Sequence, residues 1–373
     1  MARIFFIPLP EMGHINPTLK LAKQLAQRGH EVSYLGLPDF EEHVRAQGLG
    51  FVPIFTSLAP RGTLKRLAEQ RLNYLDVLFR VREPQVREPR VRELAEAIGS
   101  VRPDLVLIDA VLRQLTTLLA AAAGAPCAVL STLLHQSRHT INLVEGHPFL
   151  VLCPRVFELP QAPLREGCHY LEASIDLERR EPGGFPWERL DGSRPLIYCS
   201  LGSHPQDYEK SEAFFQAVLD AMRQRPEWQM VLAVGAAYIG SPLFHDVPSN
   251  VVAVDWVPQL AMLKKAAVMI THGGLGTVKE CIYFGVPMVV FPMAFDQPEN
   301  AARVAWHGLG LRGSTGDLSA TEILHLMDRV LEDAAFRTRV ASMSTVFREI
   351  ETSGVGARVV EELLNGPGRT APA

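Results

Sequence analysis

No two of the five cysteines, at 127, 153, 168, 199 and 281, stand in a C-x-x-C pair. That leaves no metal-finger spacing, and an odd count does not make a disulfide framework. Such thiols suit a reducing compartment, so the expected location is the cytoplasm. Basic residues are not in excess: 37 Lys and Arg face 41 Asp and Glu, a net charge of −4. Nucleic acid is therefore not an expected partner. No H-E-x-x-H occurs; His135 and His139 would share a helix face near His147, but no carboxylate stands at suitable spacing, and no metal is expected. The phosphate-loop pattern G-x-x-x-x-G-K-[ST] is missing, and no G-x-G-x-x-G has the dinucleotide spacing. Long apolar runs are missing too. Arg3 is followed by only a short strand-like run, Ile4–Ile7, and then by Pro8-Leu9-Pro10 and Glu11, which does not suit a signal peptide. Gln114 to Leu134 carries no charge, but it is rich in Ala and Thr and broken by Gly124-Ala125-Pro126. A buried helix, a turn and a strand explain it better than a membrane span.

What is present is a globular composition: 47% hydrophobic and 21% charged over 373 residues, enough for two domains. Short apolar runs alternate with helical patterns. Ile4–Ile7, Glu31–Leu35, Asp104–Ile108 and Ala128–Leu130 read as strands in the first half. Asn16 and Pro17 form an N-cap and first-position pair for the first helix, with apolar residues at helical spacing from Leu19 to Ala26. The rhythm implies doubly wound parallel sheets. Two segments break it. Val81–Glu93 repeats V-R-E-P, and its two prolines argue against a clean helix; the alternating charges suit a solvated face. His135–Leu164 is irregular and Pro-rich, and suits either an acceptor wall or a surface excursion. A Pro-, Gly- and charge-dense stretch over Leu177–Arg194 marks the domain boundary, dividing the chain into 1–181 and 182–373. Pro195–Leu201 then restarts a strand, and Gly202-Ser203 turns at its end. The tail from Gly366 is expected to be loose.

The second half is organised around Trp256–Gln297. Val251–Val254, Val268–Thr271 and Val286–Phe291 are uncharged and rich in β-branched residues, as strands buried on both faces should be. His272-Gly273-Gly274-Leu275-Gly276-Thr277 follows one of them and opens a helix. Glycines let backbone N–H groups approach a ligand, and the helix N-terminus carries partial positive charge, so a phosphate or diphosphate belongs there. Thr277 and Glu280 also satisfy a second reading, a capping box for the same helix.

W-x-P-Q at 256–259, H-G-G-x-G-T-x-x-E at 272–280, G-V-P at 285–287 and D-Q at 296–297 occur in that order. The series resembles the donor-binding signature of family 1 glycosyltransferases, in the bacterial natural-product or macrolide type. The resemblance implies the GT-B fold: two facing Rossmann-like α/β domains with a cleft between them. It also implies an acceptor domain over 1–181 and a nucleotide-sugar domain over 182–373. By the same resemblance, Trp256 stacks on the nucleobase and Gln259 bonds its edge, with Val257 beside them. His272, Gly274 and Thr277 hold the diphosphate, and Gly13, Ser203 and Gly276 are counted among the donor-binding residues. Glu280 accepts the ribose hydroxyls, and Asp296 and Gln297 bind hydroxyls of the sugar. Plant members often carry Asn where this chain has Gly276; the backbone N–H survives that change and a side-chain contact does not. The implied donor is a UDP- or dTDP-sugar acting as co-substrate, with no further cofactor.

The chemistry is expected from the first half. His14 lies between the first strand and the first helix, where the helix N-terminus disfavours a cation and suits a neutral, basic imidazole. Asp109 ends the strand DLVLI, and a carboxylate beside an imidazole fixes its tautomer. The family carries a G-H and an Asp at these two positions, which implies that His14 is the general base and Asp109 its partner. The alternative is that each merely caps a helix. No D-x-D occurs, the motif by which metal-dependent transferases of the other major fold hold their ion. The expected reaction is inverting transfer of a hexose to a hydroxyl of a lipophilic small molecule. Two alternatives stay open: a sugar-nucleotide 2-epimerase of the same fold, and a non-catalytic nucleotide-sugar binder.

Overall fold

The computed structural model describes residues 1–70, 72, 84–112, 116, 120–121, 123–134, 146–162, 166–181 and 184–366. The chain divides into two units. The first comprises most of residues 1–180 together with the C-terminal segment from Ile350, and the second is built on Glu181–Glu349.

The first unit holds a seven-stranded sheet in the order β3-β2-β1-β4-β5-β6-β7, parallel throughout. The strands are β1 (Arg3–Ile7), β2 (Glu31–Gly36), β3 (Gly50–Pro53), β4 (Leu105–Asp109), β5 (Cys127–Ser131), β6 (Phe149–Val151) and β7 (Cys168–Tyr170). Every residue of β4 and β5 is buried, and both are apolar up to the closing Asp109 and Ser131. β6 lies inside the segment expected to be irregular. Its Phe149, Leu150 and Val151 are wholly buried, and three residues between Pro148 and Leu152 are too few to show a period. Residues 135–145 and 163–164 of that segment lie outside the described residues.

Among the described residues, the α-helices given bounds in this unit are α1 (Met12–Gln27), α2 (Glu41–Ala46), α3 (Thr63–Glu69) and α4 (Pro84–Val101), with one more returning at the C-terminus. α4 contradicts the expectation that its two prolines prevent a clean internal helix. Pro84 occupies the first position, where no N–H is needed. Pro89 forfeits one backbone bond, and burial of Leu94 and Ile98 further along outweighs that loss. Residues 81–83 of the repeat lie outside the described residues.

The second unit holds a six-stranded sheet in the order β10-β9-β8-β11-β12-β13, again parallel. Its strands are β8 (Leu196–Ser200), β9 (Gln229–Ala233), β10 (Val251–Val254), β11 (Val268–Thr271), β12 (Met288–Val290) and β13 (Gly310–Arg312). Its helices are α5 (Ser211–Arg223), α6 (Gln259–Leu263), α7 (Leu275–Phe284), α8 (Gln297–Trp306), α9 (Ala320–Glu332) and α10 (Ala334–Glu351), the last running into the first unit's C-terminal segment.

The final helix, α11 (Val355–Leu364), belongs to the first unit, whereas the expected division assigns all of 182–373 to the second. Its Ala357, Val360 and Leu364 join the core formed by Ile15, Leu19 and Leu25 of α1. Polar pins reinforce it: the Glu351 carboxylate accepts from Lys20 Nζ at 2.6 Å and from Ile175 N at 2.7 Å, and Arg28 pairs with Glu361 at 2.7 Å. Helical periodicity shows that a face is buried, not which domain buries it. The tail from 367 onward lies outside the described residues. Among the described residues no helix is long and apolar enough to cross a membrane.

Candidate functional site

Ligands of open parallel sheets gather at the carboxyl ends of the strands where the strand order reverses. In the first sheet that point lies between β1 and β4; in the second it lies between β8 and β11. The expected site residues fall at these two places.

In the first unit, α1 begins at Met12 rather than at Asn16. Pro17 is therefore the sixth helical residue, and the buried stripe from Ile15 to Leu25 carries the helix through the lost bond. Asn16 does not cap; its Oδ1 lies 2.8 Å from His43 Nε2. The earlier start puts His14 in the first turn, just past β1. Its Nδ1 is 2.8 Å from Oδ2 of Asp109, the last residue of β4, which is 3% exposed. The other oxygen, Oδ1, accepts from the backbone N–H of Val111 at 2.8 Å. Asp109 thus does both jobs weighed from sequence, capping the turn after β4 with one oxygen and orienting the imidazole with the other. Thr132 Oγ1, just past β5, is 2.9 Å from the same Nδ1. Sequence inspection misses Thr132; the signal available was its place after a strand adjacent to β4. A carboxylate only accepts, so Nδ1 carries the proton and Nε2 is left as the basic nitrogen. Gly13 stands beside His14 in α1 with open space where a Cβ would be.

In the second unit, the loop after β11 opens α7 with Gly274 as N-cap and no side-chain cap. The capping-box expectation fails, because Thr277 and Glu280 sit inside the helix, three residues further along than that box requires. His272 is buried with its ring wedged between two glycines: a Cβ on Gly202 would fall 2.7 Å from it, and one on Gly274 2.6 Å. Burial pushes its pKa down to about 4, against a smaller upward pull from the Ser200 backbone. At pH 7 it is a neutral hydrogen-bonding group. Gly273 adopts φ +89°, and a Cβ there would meet Val290 at 2.6 Å. Gly276 has open space, so a larger residue at that position would fit. Ser203 is exposed beyond Gly202, whose N–H donates to Ser200 Oγ at 3.1 Å.

The remaining donor residues surround this loop. Trp256 is 38% exposed, so it is not a core residue, while Val257 beneath it is buried. Gln259 Nε2 donates to Glu280 Oε2 at 2.5 Å and lies 3.5 Å from Thr277 Oγ1; its Oε1 accepts from Tyr198 OH at 3.2 Å. Burial raises the Tyr198 phenol far above its usual range, so it remains a donor. Asp296 precedes α8, and its Oδ2 accepts from Asn300 at 2.8 Å. Gln297 Oε1 accepts from Met293 N and Ala294 N, each at 2.8 Å, and its Nε2 donates to Tyr208 OH at 3.0 Å. The Tyr208 ring stands 6.0 Å from that of His272. All the donor positions of the second unit therefore gather near one sheet end. Tyr198, Tyr208 and Asn300 join them, none of which sequence inspection singles out.

Among the described residues no three His, Cys, Asp or Glu side chains form a metal-binding group. His147, which is described, lies 3.2 Å from the Cys127 carbonyl through Nδ1; His135 and His139 lie outside the described residues.

Residues 226–363 match the family described as Erythromycin biosynthesis protein CIII-like, C-terminal domain. The oleandomycin glycosyltransferase of Streptomyces antibioticus is 28% identical over 375 residues, covering 88% of this chain and 84% of that protein. The demethyllactenocin mycarosyltransferase of Streptomyces fradiae is 26% identical, covering 98% and 87%. The solved structure of CalG4, the calicheamicin glycosyltransferase, superposes with a TM-score of 0.72 at 26% identity, covering both chains in full. These likenesses give no support to the epimerase or to the non-catalytic binder. With two parallel α/β sheets and the donor motif intact, the chain has the GT-B fold and is similar over nearly its whole length to family 1 glycosyltransferases of the bacterial natural-product type.

Proposed function

We propose that the protein moves a hexose, with inversion, from UDP-glucose or a similar UDP- or dTDP-sugar to a hydroxyl of a lipophilic small molecule, and that His14 is the base. The observation that carries this is the 2.8 Å bond from His14 Nδ1 to buried Asp109 at the switch point of the first sheet. Nε2 takes the proton of the acceptor hydroxyl. The oxygen bonds to the anomeric carbon as the bond to the diphosphate breaks, and the leaving group departs with the electron pair. The N-terminus of α7, the loop N–H groups and neutral His272 stabilise the charge that develops on it. Trp256, Gln259 and Glu280 bind the nucleoside, and Asp296 and Gln297 the sugar. Five free cysteines support a cytoplasmic location.

This reading needs no metal. With EDTA present, the enzyme, a nucleotide sugar and a panel of phenols and alcohols should yield a glycoside and free nucleoside diphosphate. Turnover lost on chelation and restored by Mg²⁺ or Mn²⁺ would overturn that account of the diphosphate site.

Glu280→Ala should weaken nucleotide-sugar binding by about 1.5–3 kcal/mol, the worth of hydrogen bonds to a charged acceptor. It also strands the Gln259 amide, so some thermal stability should go with it. Calorimetric titration with parallel melting separates the two effects. Unchanged affinity with a lower melting temperature leaves Glu280 as a brace for Gln259 alone.

A further inference from the structure

Asn300 is 1% exposed and touches both halves of the donor region. It lies one turn into α8, four residues after Asp296. One N–H of its amide donates to Asp296 Oδ2 at 2.8 Å and the other to the Gly273 carbonyl at 2.9 Å. Both amide hydrogens are spent, on two groups that the proposed function uses for different parts of the donor.

The contact with Gly273 sets more than a carbonyl. In a planar trans peptide the C=O of one residue and the N–H of the next point in opposite directions. Holding the Gly273 carbonyl against α8 therefore turns the Gly274 N–H away from α8, at the mouth of α7 where orphan donors collect. Gly273 sits at φ +89°, a Cβ there would meet Val290 at 2.6 Å and Gln297 O at 3.5 Å, and its N–H is held by Thr271 Oγ1 at 3.1 Å. The contact with Asp296 fixes the other group, because a carboxylate held by a buried amide cannot rotate freely.

We infer that Asn300 is a positioning residue of the donor site, tying the N–H that meets the diphosphate to the carboxylate that reads the sugar. This rests on the proposed donor reading. It adds a coupling: the diphosphate and sugar contacts are set by one side chain, so losing it damages both at once.

The test is calorimetric titration of the full chain with UDP and dTDP, and with UDP-glucose and dTDP-glucose. The variants are Asn300→Ala, Asn300→Ser, Asp296→Asn and the double variant Asn300→Ala/Asp296→Asn. Asn300→Ala should weaken the bare diphosphates about tenfold, the worth of one hydrogen bond to a charged group. Asp296→Asn should leave them within about twofold, because it touches only the sugar contact. On the nucleotide sugars the double variant should be no weaker than Asn300→Ala, because Asp296 is already misaimed there. Asn300→Ser keeps one donor and serves if the alanine variant does not fold; it should lose at least about threefold on the bare diphosphates. A folded Asn300 variant that binds UDP and dTDP within about twofold of wild type overturns the inference, as do independent, additive losses on the nucleotide sugars. Wild type that binds none of the four ligands overturns the donor reading and this role with it.

Discussion

His14→Ala should slow transfer to an aliphatic alcohol by roughly 10²–10⁴-fold, the usual contribution of a positioned base. The loss should fall in kcat. Every nucleotide and sugar contact proposed above except Gly13 comes from the second unit, so donor affinity should barely move. The acceptor's own acidity gives the sharper signature. An acidic phenol loses its proton with little help, so its transfer should suffer much less than that of an alcohol. A variant that turns over the alcohol at a near-normal rate would make His14 a helix-terminus residue only, with the base elsewhere.

Asp109→Asn should be the next most damaging change, lowering kcat by about 10²–10⁴-fold with little loss of fold. The substitution keeps the shape of the side chain, and an amide oxygen still accepts from Val111 N–H. What changes is the atom facing His14. An amide NH₂ turned toward Nδ1 favours the tautomer with its proton on Nε2, which cannot then take one from the acceptor. It also removes the charge that stabilises the imidazolium once formed. Thr132, 2.9 Å from Nδ1, still supports the ring, so the loss should be in chemistry rather than in order. Since the two residues act as one unit, the double variant should be little slower than His14→Ala. Multiplying losses, measured as kcat for the three variants, would show that Asp109 works independently of His14.

The parts of this machinery that were legible in the sequence are those whose signal is local. Val268–Thr271 reads as a strand because a parallel strand buried on both faces selects an uncharged, β-branched-rich run, and Val251–Val254 carries the same local signal although it lies at the sheet edge with Ala253 and Val254 only half-buried. The loop at 272–277 was legible because glycines and a helix start stand side by side in the chain. Position at strand ends likewise pointed to His14 and Asp109, 95 residues apart. Local signals also misled. Asn16-Pro17 and the Pro84–Pro89 pair look like helix boundaries, yet burial of Ile15 and Leu19 in α1, and of Leu94 and Ile98 in α4, carries both helices through their prolines. Thr277 and Glu280 have capping-box spacing, but Gly274 opens the helix first. What no local pattern reveals is a contact that only the tertiary fold creates: Thr132 on His14, Asn300 on Gly273, and α11 in the core of the first unit.

The proposed transfer uses one base and one displacement, with no protein nucleophile. The anomeric configuration of the wild-type product tests that most directly. With an α-linked nucleotide glucose and a simple alcohol, the anomeric proton of the purified glycoside should show the large diaxial coupling of the β-anomer. An α-glycoside would mean two displacements through a covalent intermediate, and would contradict His14 as the group that does the chemistry.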